Sequence, residues 1–203
     1  DASPRERSGL DVIRQVTDLL PDEAAEGRLV VVETTVLDID RGEPAVAHVR
    51  AALEGQAHVV TANKGPAAFA YHELEALAES VDRVFFFEGA VMDGTPVFNL
   101  VERCLRGARI VSFRGTLNST TNLVLSRMEE GLTASAAVKK AQALGIAEAD
   151  PRNDLEGWDA AVKGCALANA LMGASVRPSQ VRRRGIAGLT GLDARRAVRA
   201  GTR

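Results

Sequence analysis

The stretch of the chain most suited to chemistry is a run of acidic residues followed by a lysine. Between Glu148 and Asp159 the sequence places five carboxylates in twelve residues, and Lys163 follows four residues after Asp159. On a helix this spacing puts Asp159 and Lys163 on one face. The residues around Lys163 are apolar, so the lysine either extends toward solvent or is placed to transfer a proton. A solvated acidic loop with an ordinary surface ion pair is the alternative interpretation.

A second lysine lies where a strand is predicted to end. Residues 59–66 have the sequence VVTANKGP, an apolar strand followed by a polar turn, Lys64 and the start of a helix. In open α/β sheets, ligands bind beyond the carboxyl ends of the strands, so Lys64 is placed to meet a ligand. An ordinary polar turn would have the same composition.

A third pattern, GTLNSTTN at residues 115–122, joins a predicted strand to a predicted helix. Free backbone N–H groups at a helix start can bind an anion. Simple N-capping by Asn118 or Ser119 explains the same residues. Together the three patterns offer donors for an anion, carboxylates for a cation and lysines for proton transfer. An amino acid carries both charges, so the patterns favour a small amino-acid substrate.

The elements that must position these residues divide the chain into two parts. In residues 1–87, buried apolar runs alternate with helical periodicity, which predicts an α/β fold with a partial Rossmann-like parallel sheet. The predicted strands are 29–34, 58–61 and 84–87, and the predicted helices are 9–20, 44–53 and 66–78. No strand precedes the first helix, so the first strands of a doubly wound sheet are expected to be missing.

The second part, residues 88–203, has the pattern of an α+β domain. Its predicted helices are 97–105, 117–130, 133–144, 155–172 and 193–200, and its predicted strands are 109–114 and 185–190. This part contains the acidic run and Lys163, so we expect it to be a substrate-binding, catalytic and dimerisation domain.

Composition excludes several classes of protein. The net charge of −2, with 46% hydrophobic and 26% charged residues, is typical of a soluble globular protein and does not favour nucleic acid or an anionic membrane as a partner. No apolar run is long enough for a membrane span. Two widely separated cysteines do not form a disulfide framework, which favours a reducing cytoplasm.

The motifs resemble those of homoserine dehydrogenases, and the resemblance covers nearly all of the chain. It is carried by GEP at 42–44, VVTANKGP at 59–66, GTP at 94–96, LNSTTN at 117–122 and GIAEADPRNDLEGWDAAVK at 145–163. The last segment is long and rich in charge, and therefore highly specific. The resemblance implies the oxidation of L-homoserine to L-aspartate 4-semialdehyde, or the reverse, with NAD or NADP. That step belongs to threonine and methionine biosynthesis, and a cytoplasmic homodimer is expected.

The resemblance also implies roles for individual residues. Lys163 would donate and accept the proton at the alcohol carbon, and Lys64 would assist near the nicotinamide. The implied substrate-binding residues are Glu148, Asp154, Asp159 and Thr120, the implied cofactor-binding residues are Thr34 and Lys64, and the backbone carbonyls implied to bind Na⁺ or K⁺ are those of Glu88, Val91, Asp93 and Thr95.

The chain also differs from the family pattern. It contains no G-x-G-x-x-G loop, which we expect upstream of Asp1, and Ser119 stands where the family has Gly. We therefore expect an internal fragment that is inactive alone and binds NAD(P) weakly or not at all, with Arg5 and Arg7 as candidates to contact a 2′-phosphate. Two alternatives are a catalytically silent dimerisation or binding module and a related dehydrogenase of another small amino or hydroxy acid. The presence of Lys64 and Lys163 together with the acidic residues disfavours a decayed site.

Overall fold

The computed structural model of the protein describes residues 8–201. Arg5 and Arg7, the candidate contacts of a 2′-phosphate, lie outside the described residues. The elements in chain order are α1 (Gly9–Leu19), α2 (Pro21–Ala25), β1 (Val30–Glu33), α3 (Ala45–Glu54), β2 (His58–Thr61), α4 (Lys64–Phe69), α5 (Tyr71–Ser80), β3 (Phe85–Phe86), α6 (Gly89–Met92), α7 (Val97–Asn99), a π-helix (Leu100–Cys104), α8 (Ser119–Glu129), α9 (Ala134–Ala143), α10 (Arg152–Leu155), α11 (Trp158–Met172), a 3₁₀ helix (Pro178–Gln180) and α12 (Gly191–Arg199).

The three strands form one parallel sheet in the order β1-β2-β3. Val31 lies opposite Val59, and Val59 lies opposite Phe85. The three strands predicted in residues 1–87, their parallel direction and the α/β class are confirmed. Because the strands run in the same direction, their carboxyl ends lie at one edge of the sheet, where α/β proteins bind ligands.

Only one face of this sheet is covered by the described residues. Val59 is fully buried and Phe85 is 5% exposed, whereas Val32 is 66% and Phe86 47% exposed. The nearly continuous apolar runs of the sequence predict strands that are covered on both faces, and this prediction is wrong for the described chain. Successive side chains on a strand point to opposite faces, and the helices within residues 8–201 pack on the face that contains Val59 and Phe85.

Polar side chains cap the first turns of several helices. Asn118 caps α8, Thr133 caps α9, and Thr190 forms a capping box with Asp193 at the start of α12. The helix predicted at 155–172 is interrupted, and α10 and α11 are separated by Gly157 with φ of +82°. The interruption matters because it places Asp154 and Asp159 on different helices.

The strands predicted at 109–114 and 185–190 are corrected by the structure. Residues 108–118 and 187–190 contain neither helix nor strand, and no strand follows β3 in the described part of the chain. Val111 is 73% and Phe113 41% exposed. A strand needs a partner for its backbone hydrogen bonds, and an alternating pattern alone does not supply one.

The chain divides into two compact units. One extends to Ser112 and includes Val162–Gln180, and the other comprises Phe113–Ala161 and the chain from Val181 onward. The units divide at 112/113, inside α11 at 161/162 and at 180/181, and none of these points coincides with the boundary at 87/88 that the sequence suggests for the functional domains. In the second unit, Val124 and Met128 of α8 form a core with Ala137 and Ala141 of α9 and Ala194 of α12.

Candidate functional site

A buried carboxylate organises the carboxyl ends of β1 and β2. Glu33, the last residue of β1, is 4% exposed. It accepts hydrogen bonds from Thr61 Oγ1 at 2.8 Å and from the backbone N–H of Thr35 at 2.8 Å, and a further one from the Thr35 hydroxyl. The Nδ1 atom of His48, also buried, lies 3.8 Å from Glu33 Oε1. Several partners at once satisfy this carboxylate, as burial of a charged group requires.

The same network fixes the turn that leads to Lys64. Thr61 Oγ1 accepts a hydrogen bond from the backbone of Asn63 at 3.0 Å. Asn63, in turn, donates from Nδ2 to Thr35 O at 2.9 Å, and its Oδ1 accepts the N–H of Gly65 at 2.8 Å. Asn63 therefore caps α4 and joins the segment after β1 to the segment after β2. Lys64, half-buried, is the first residue of the capped helix.

A close approach of two backbone segments explains the glycine that follows Lys64. A Cβ on Gly65 would lie 2.9 Å from Gly42 O and 3.0 Å from Gly42 Cα. Gly42 itself has φ of +74°, a conformation that favours glycine. The GEP and NKGP motifs thus meet at these two residues, which keeps the helix start close to the segment after β1.

In the second unit, one amide holds two carboxylates. Asn118 Nδ2 donates to Asp154 Oδ1 at 2.7 Å and to Asp159 Oδ2 at 2.9 Å. Its Oδ1 accepts the N–H of Thr121 at 2.7 Å, so the same side chain caps α8. Asn118 and Asp159 are buried, at 8% and 9% exposure. The arrangement concentrates negative charge beside the start of α8, which suits a cationic group such as an ammonium.

The turn before α10 is held by two further contacts. Thr120, 3% exposed, donates from Oγ1 to Ile146 O at 3.1 Å. Gln142 Nε2 donates to the carbonyls of Glu148 and Ala149, both at 3.1 Å. Glu148 itself is exposed, so the structure fixes its backbone and leaves its carboxylate accessible. The contact of Thr120 with Ile146 ties α8 to the turn that carries Glu148.

The turn between α10 and α11 is held by contacts with Arg183 and Ile186, about 30 residues later in the chain. Arg183 stacks over the Trp158 ring, with its guanidinium carbon 3.5 Å from the ring centroid, and donates to Glu156 O at 2.6 Å. Ile186 donates its N–H to Leu155 O at 2.7 Å. These contacts fix the approach to Asp159. Part of the basic run at 182–184 thus has a structural role.

Lys163 lies one helical turn after Asp159 on α11. It is half-buried, while the neighbouring Val162, Cys165 and Ala166 are fully buried. Burial raises the pKa of the Cys165 thiol to about 11, which reflects the low polarity of this side of the helix. The aliphatic part of Lys163 thus lies along an apolar helix, as the sequence predicts.

The segment proposed for a monovalent cation forms a compact turn. The Glu88 carboxylate accepts the backbone N–H groups of Phe98 at 3.0 Å and Asn99 at 2.8 Å, so it closes the segment on itself. Asp93 has φ of +50°, and Thr95 O accepts the N–H of Val97 at 2.8 Å. Within residues 8–201, no group of three or more His, Cys, Asp or Glu side chains is arranged to hold a metal ion.

The structure brings some of the predicted site residues together and adds residues that the sequence did not indicate. Asp154 and Asp159 share Asn118, whereas Thr34 is exposed just beyond β1 and Glu148 stands apart from the Asn118 amide in its own turn. Sequence reasoning missed Glu33 and His48 as members of the network at the strand ends. The position of Glu33 directly after three valines could have indicated this network, because a charged residue at the end of a buried strand needs hydrogen-bond partners.

Comparison with known proteins decides the family. A family model described as homoserine dehydrogenase matches residues 96–203, more than half of the chain. The chain belongs to the homoserine dehydrogenase family. It is 45% identical over 177 residues to the NAD(+)-dependent homoserine dehydrogenase of Pseudomonas canavaninivorans. The aligned residues cover 87% of this chain and 50% of that protein. It is 42% identical to the homoserine dehydrogenase of Methanocaldococcus jannaschii, over 92% of this chain and 53% of that protein.

Solved homoserine dehydrogenases share the fold. A putative homoserine dehydrogenase from Archaeoglobus fulgidus superposes with a TM-score of 0.77 at 37% identity, over 88% of this chain and 55% of that one. The enzyme from Thiobacillus denitrificans gives a TM-score of 0.76 at 36% identity, over 85% of this chain and 39% of that one. The chain thus spans about half the length of the homoserine dehydrogenases it matches. Within residues 8–201, no helix has the length and apolarity needed to cross a membrane.

Proposed function

We propose that the protein acts in the NAD(P)-dependent interconversion of L-homoserine and L-aspartate 4-semialdehyde. The observation that carries the proposal is the carboxylate pair held by Asn118, with Asp159 one helical turn before Lys163 on α11. Membership of the homoserine dehydrogenase family supplies the reaction that this set of residue types fits.

The proton is handled by Lys163 in this proposal. Oxidation removes a hydride from a carbon whose hydroxyl must lose a proton, so a general base is needed beside that oxygen. Lys163 accepts the proton during oxidation and returns it to the carbonyl oxygen during reduction. Lys64, at the start of α4, assists near the nicotinamide.

The ammonium group of the substrate is assigned to the acidic residues. Asp159 and Glu148 bind the ammonium of homoserine, and Asp154 completes the negative cluster. Asn118 orients Asp154 and Asp159 through its two amide donors. Thr120, also assigned to the substrate site, supports the Glu148 turn through its bond to Ile146 O.

The cofactor is assigned to the carboxyl ends of the strands. Thr34 is exposed directly after β1, and Lys64 follows β2, so both lie at the sheet edge where α/β proteins bind dinucleotides. The name of the Pseudomonas relative specifies NAD(+), and we extend the proposal to NAD or NADP. When bound, the nicotinamide supplies the hydride acceptor or donor.

The turn after β3 is assigned to a monovalent cation. The carbonyl groups of Glu88, Val91, Asp93 and Thr95 are the ligands in this proposal. The Glu88 carboxylate supports this role because it accepts the backbone N–H groups of Phe98 and Asn99 and thereby holds the turn in shape. Na⁺ and K⁺ accept carbonyl oxygens as ligands.

The proposal also includes the oligomeric state of the protein, its cellular location and its pathway. A nucleotide-binding part at 1–87 and a substrate and dimerisation part at 88–203 act in a cytoplasmic homodimer, in threonine and methionine biosynthesis. The exposed apolar side chains of Val111 and Phe113 lie in a segment with neither helix nor strand in the described chain, and they support a subunit contact there.

Steady-state kinetics of lysine variants in the full-length enzyme test the proposal. Lys163→Ala should lower kcat by roughly 10²–10⁴-fold, the usual effect of losing a general acid/base. Lys163→Arg should lower kcat to the same extent, because arginine keeps the charge and does not release a proton near neutral pH. Asp159→Ala and Glu148→Ala should mainly raise the KM for homoserine.

Lys139→Ala, at an exposed lysine on α9, is the matched control and should leave kcat unchanged. A folded Lys163→Ala enzyme with near-normal turnover would remove Lys163 from the mechanism. Wild-type kcat in Lys163→Arg would show that only the positive charge matters.

A further inference from the structure

A buried amide on α11 uses all of its polar atoms in bonds to other segments. Asn169, 4% exposed, lies six residues after Lys163 on the same helix. Its Nδ2 donates to Ala68 O at 3.2 Å, to Ala67 O at 3.4 Å and to Val176 O at 3.1 Å. Its Oδ1 accepts the N–H of Val176 at 2.9 Å. The bonds to Ala67 and Ala68 span about a hundred residues of sequence, so they serve tertiary structure and not the local turn.

Two of the carbonyl groups that Asn169 binds, those of Ala67 and Ala68, lie in the last turn of α4. This helix has six residues and begins with Lys64. The last carbonyls of a helix have no intrahelical donors, and a helix this short is unstable without tertiary contacts. Asn63 accepts a backbone N–H group in the first turn of α4. Asn169, which lies on a different helix, donates to carbonyl groups in the last turn. The orientation of Lys64 therefore depends on an amide at each end of its helix.

We propose that Asn169 is a positioning residue that joins the helix beginning with Lys64 to the helix carrying Lys163. The proposal rests on the proposed function, in which both lysines act at one reaction centre. Asn169 does not touch substrate or cofactor in this scheme. It keeps the two lysine-bearing helices in a fixed relation, so that Lys64 remains near the nicotinamide while Lys163 handles the proton.

The expected effect of losing these bonds is kinetic. A displacement of about 1 Å in a catalytic group can lower a rate by as much as about 100-fold. The other contacts of α4, including the cap at Asn63 and the close approach of Gly65 to Gly42, remain in an Asn169 variant. The helix should therefore persist and shift slightly, which would change kcat more than binding.

Kinetics of Asn169→Ala in the full-length enzyme provide the test. We expect kcat to fall about 10-fold to 100-fold, with the KM for homoserine changed less than about 2-fold. Asn169→Asp keeps the side-chain volume and the acceptor for Val176 but loses the amide donors, so it should lower kcat in the same way. If Asn169→Ala does not fold, the aspartate variant carries the test alone.

His72→Ala is the matched control. His72 Nε2 also reaches the segment that follows α11, at 2.7 Å from Ala174 O, but its bond does not involve α4. This variant should retain wild-type kcat. An equal loss of kcat in His72→Ala would show that general loosening of the segment after α11 explains the effect, and would overturn the proposal.

A double-mutant cycle tests whether Asn169 affects kcat by positioning Lys64 or independently of Lys64. In a Lys64→Ala background, Asn169→Ala should cause no further loss of kcat, because the group that it positions is already absent. Additive losses would overturn the proposal, as would wild-type kcat in Asn169→Ala when Lys64→Ala is impaired. Wild-type kcat in Lys64→Ala would instead refute the role of Lys64 in the proposed function, and this inference with it.

Discussion

The side-chain amide of Asn118 donates to Asp159 Oδ2 over 2.9 Å, and both residues are buried. The bond connects the start of α8 to the first turn of α11. Asp159 thus has an internal donor that holds one carboxylate oxygen in place. Since the other donor of the same amide is used by Asp154, a single side chain sets the geometry of both carboxylates.

Replacing Asn118 should therefore affect both stability and substrate binding. Asn118→Ala removes the donor to a buried carboxylate, which should lower the free energy of unfolding by about 1–3 kcal/mol. Without the donor that orients them, Asp154 and Asp159 should bind the substrate ammonium less well, so the KM for homoserine should rise. Chemical denaturation and steady-state kinetics of the full-length enzyme measure the two effects.

Thr133→Ala is the control for Asn118→Ala, because Thr133 caps α9 at an exposed position through the N–H of Ala136. Loss of this cap should cost about 1 kcal/mol of stability and leave the KM unchanged. If Asn118→Ala behaved in the same way, with an unchanged KM, the amide would serve only as a helix cap.

Ionisation of Glu75 should destabilise the folded protein. A neutral amide at this position should therefore increase stability at neutral pH. Burial and the nearby carboxylates of Glu79 and Glu102 raise the pKa of Glu75 above its ordinary value of 4.5. It lines a cavity of about 670 Å³ together with Tyr71, whose pKa burial raises to about 12. As the pH rises through 4.5, the unfolded chain ionises Glu75 before the folded protein does, so ionisation favours unfolding.

Glu75→Gln should accordingly raise the Tm at pH 8 and have little effect at pH 3.5, where Glu75 is protonated in both states. Glu73→Gln on the same helix is the matched control. Glu73 accepts a hydrogen bond from Arg50 at 2.6 Å at the surface, so its loss should lower stability by less than about 1 kcal/mol. Calorimetry that showed no gain for Glu75→Gln at pH 8 would contradict the burial argument.

The two cysteines should differ sharply in reactivity. Cys104 is exposed, whereas Cys165 is fully buried and has its pKa raised to about 11. Near pH 8 only about a thousandth of Cys165 would be thiolate, the reactive form. Iodoacetamide should therefore label Cys104 in the folded protein and label Cys165 only after unfolding, as mass spectrometry of the peptides would show.

Cys104→Ser should abolish labelling of the folded protein and leave one reactive thiol in guanidinium chloride. Equally fast labelling of Cys165 and Cys104 in the folded protein would mean that α11 opens readily, which is inconsistent with its buried face.

Local patterns in the sequence determined much of the fold. The valine-rich runs are strands because β-branched residues favour extended backbone and burial, and Asn118 and Thr133 begin helices because their short polar side chains can accept a backbone N–H. The order of the VVTANKGP and GIAEADPRNDLEGWDAAVK motifs identified the family, since long motifs rich in charge rarely recur by chance.

Only the tertiary structure decided which side chains meet. Glu33 and Thr61 are 28 residues apart and share a buried hydrogen bond, and Asn169 reaches Ala68 across 101 residues. The alternating residues 109–114 did not form a strand in the described chain, because a strand exists only when another segment accepts and donates its backbone hydrogen bonds. Sequence patterns report the preferences of neighbouring residues, whereas partnership between distant groups depends on how the whole chain packs.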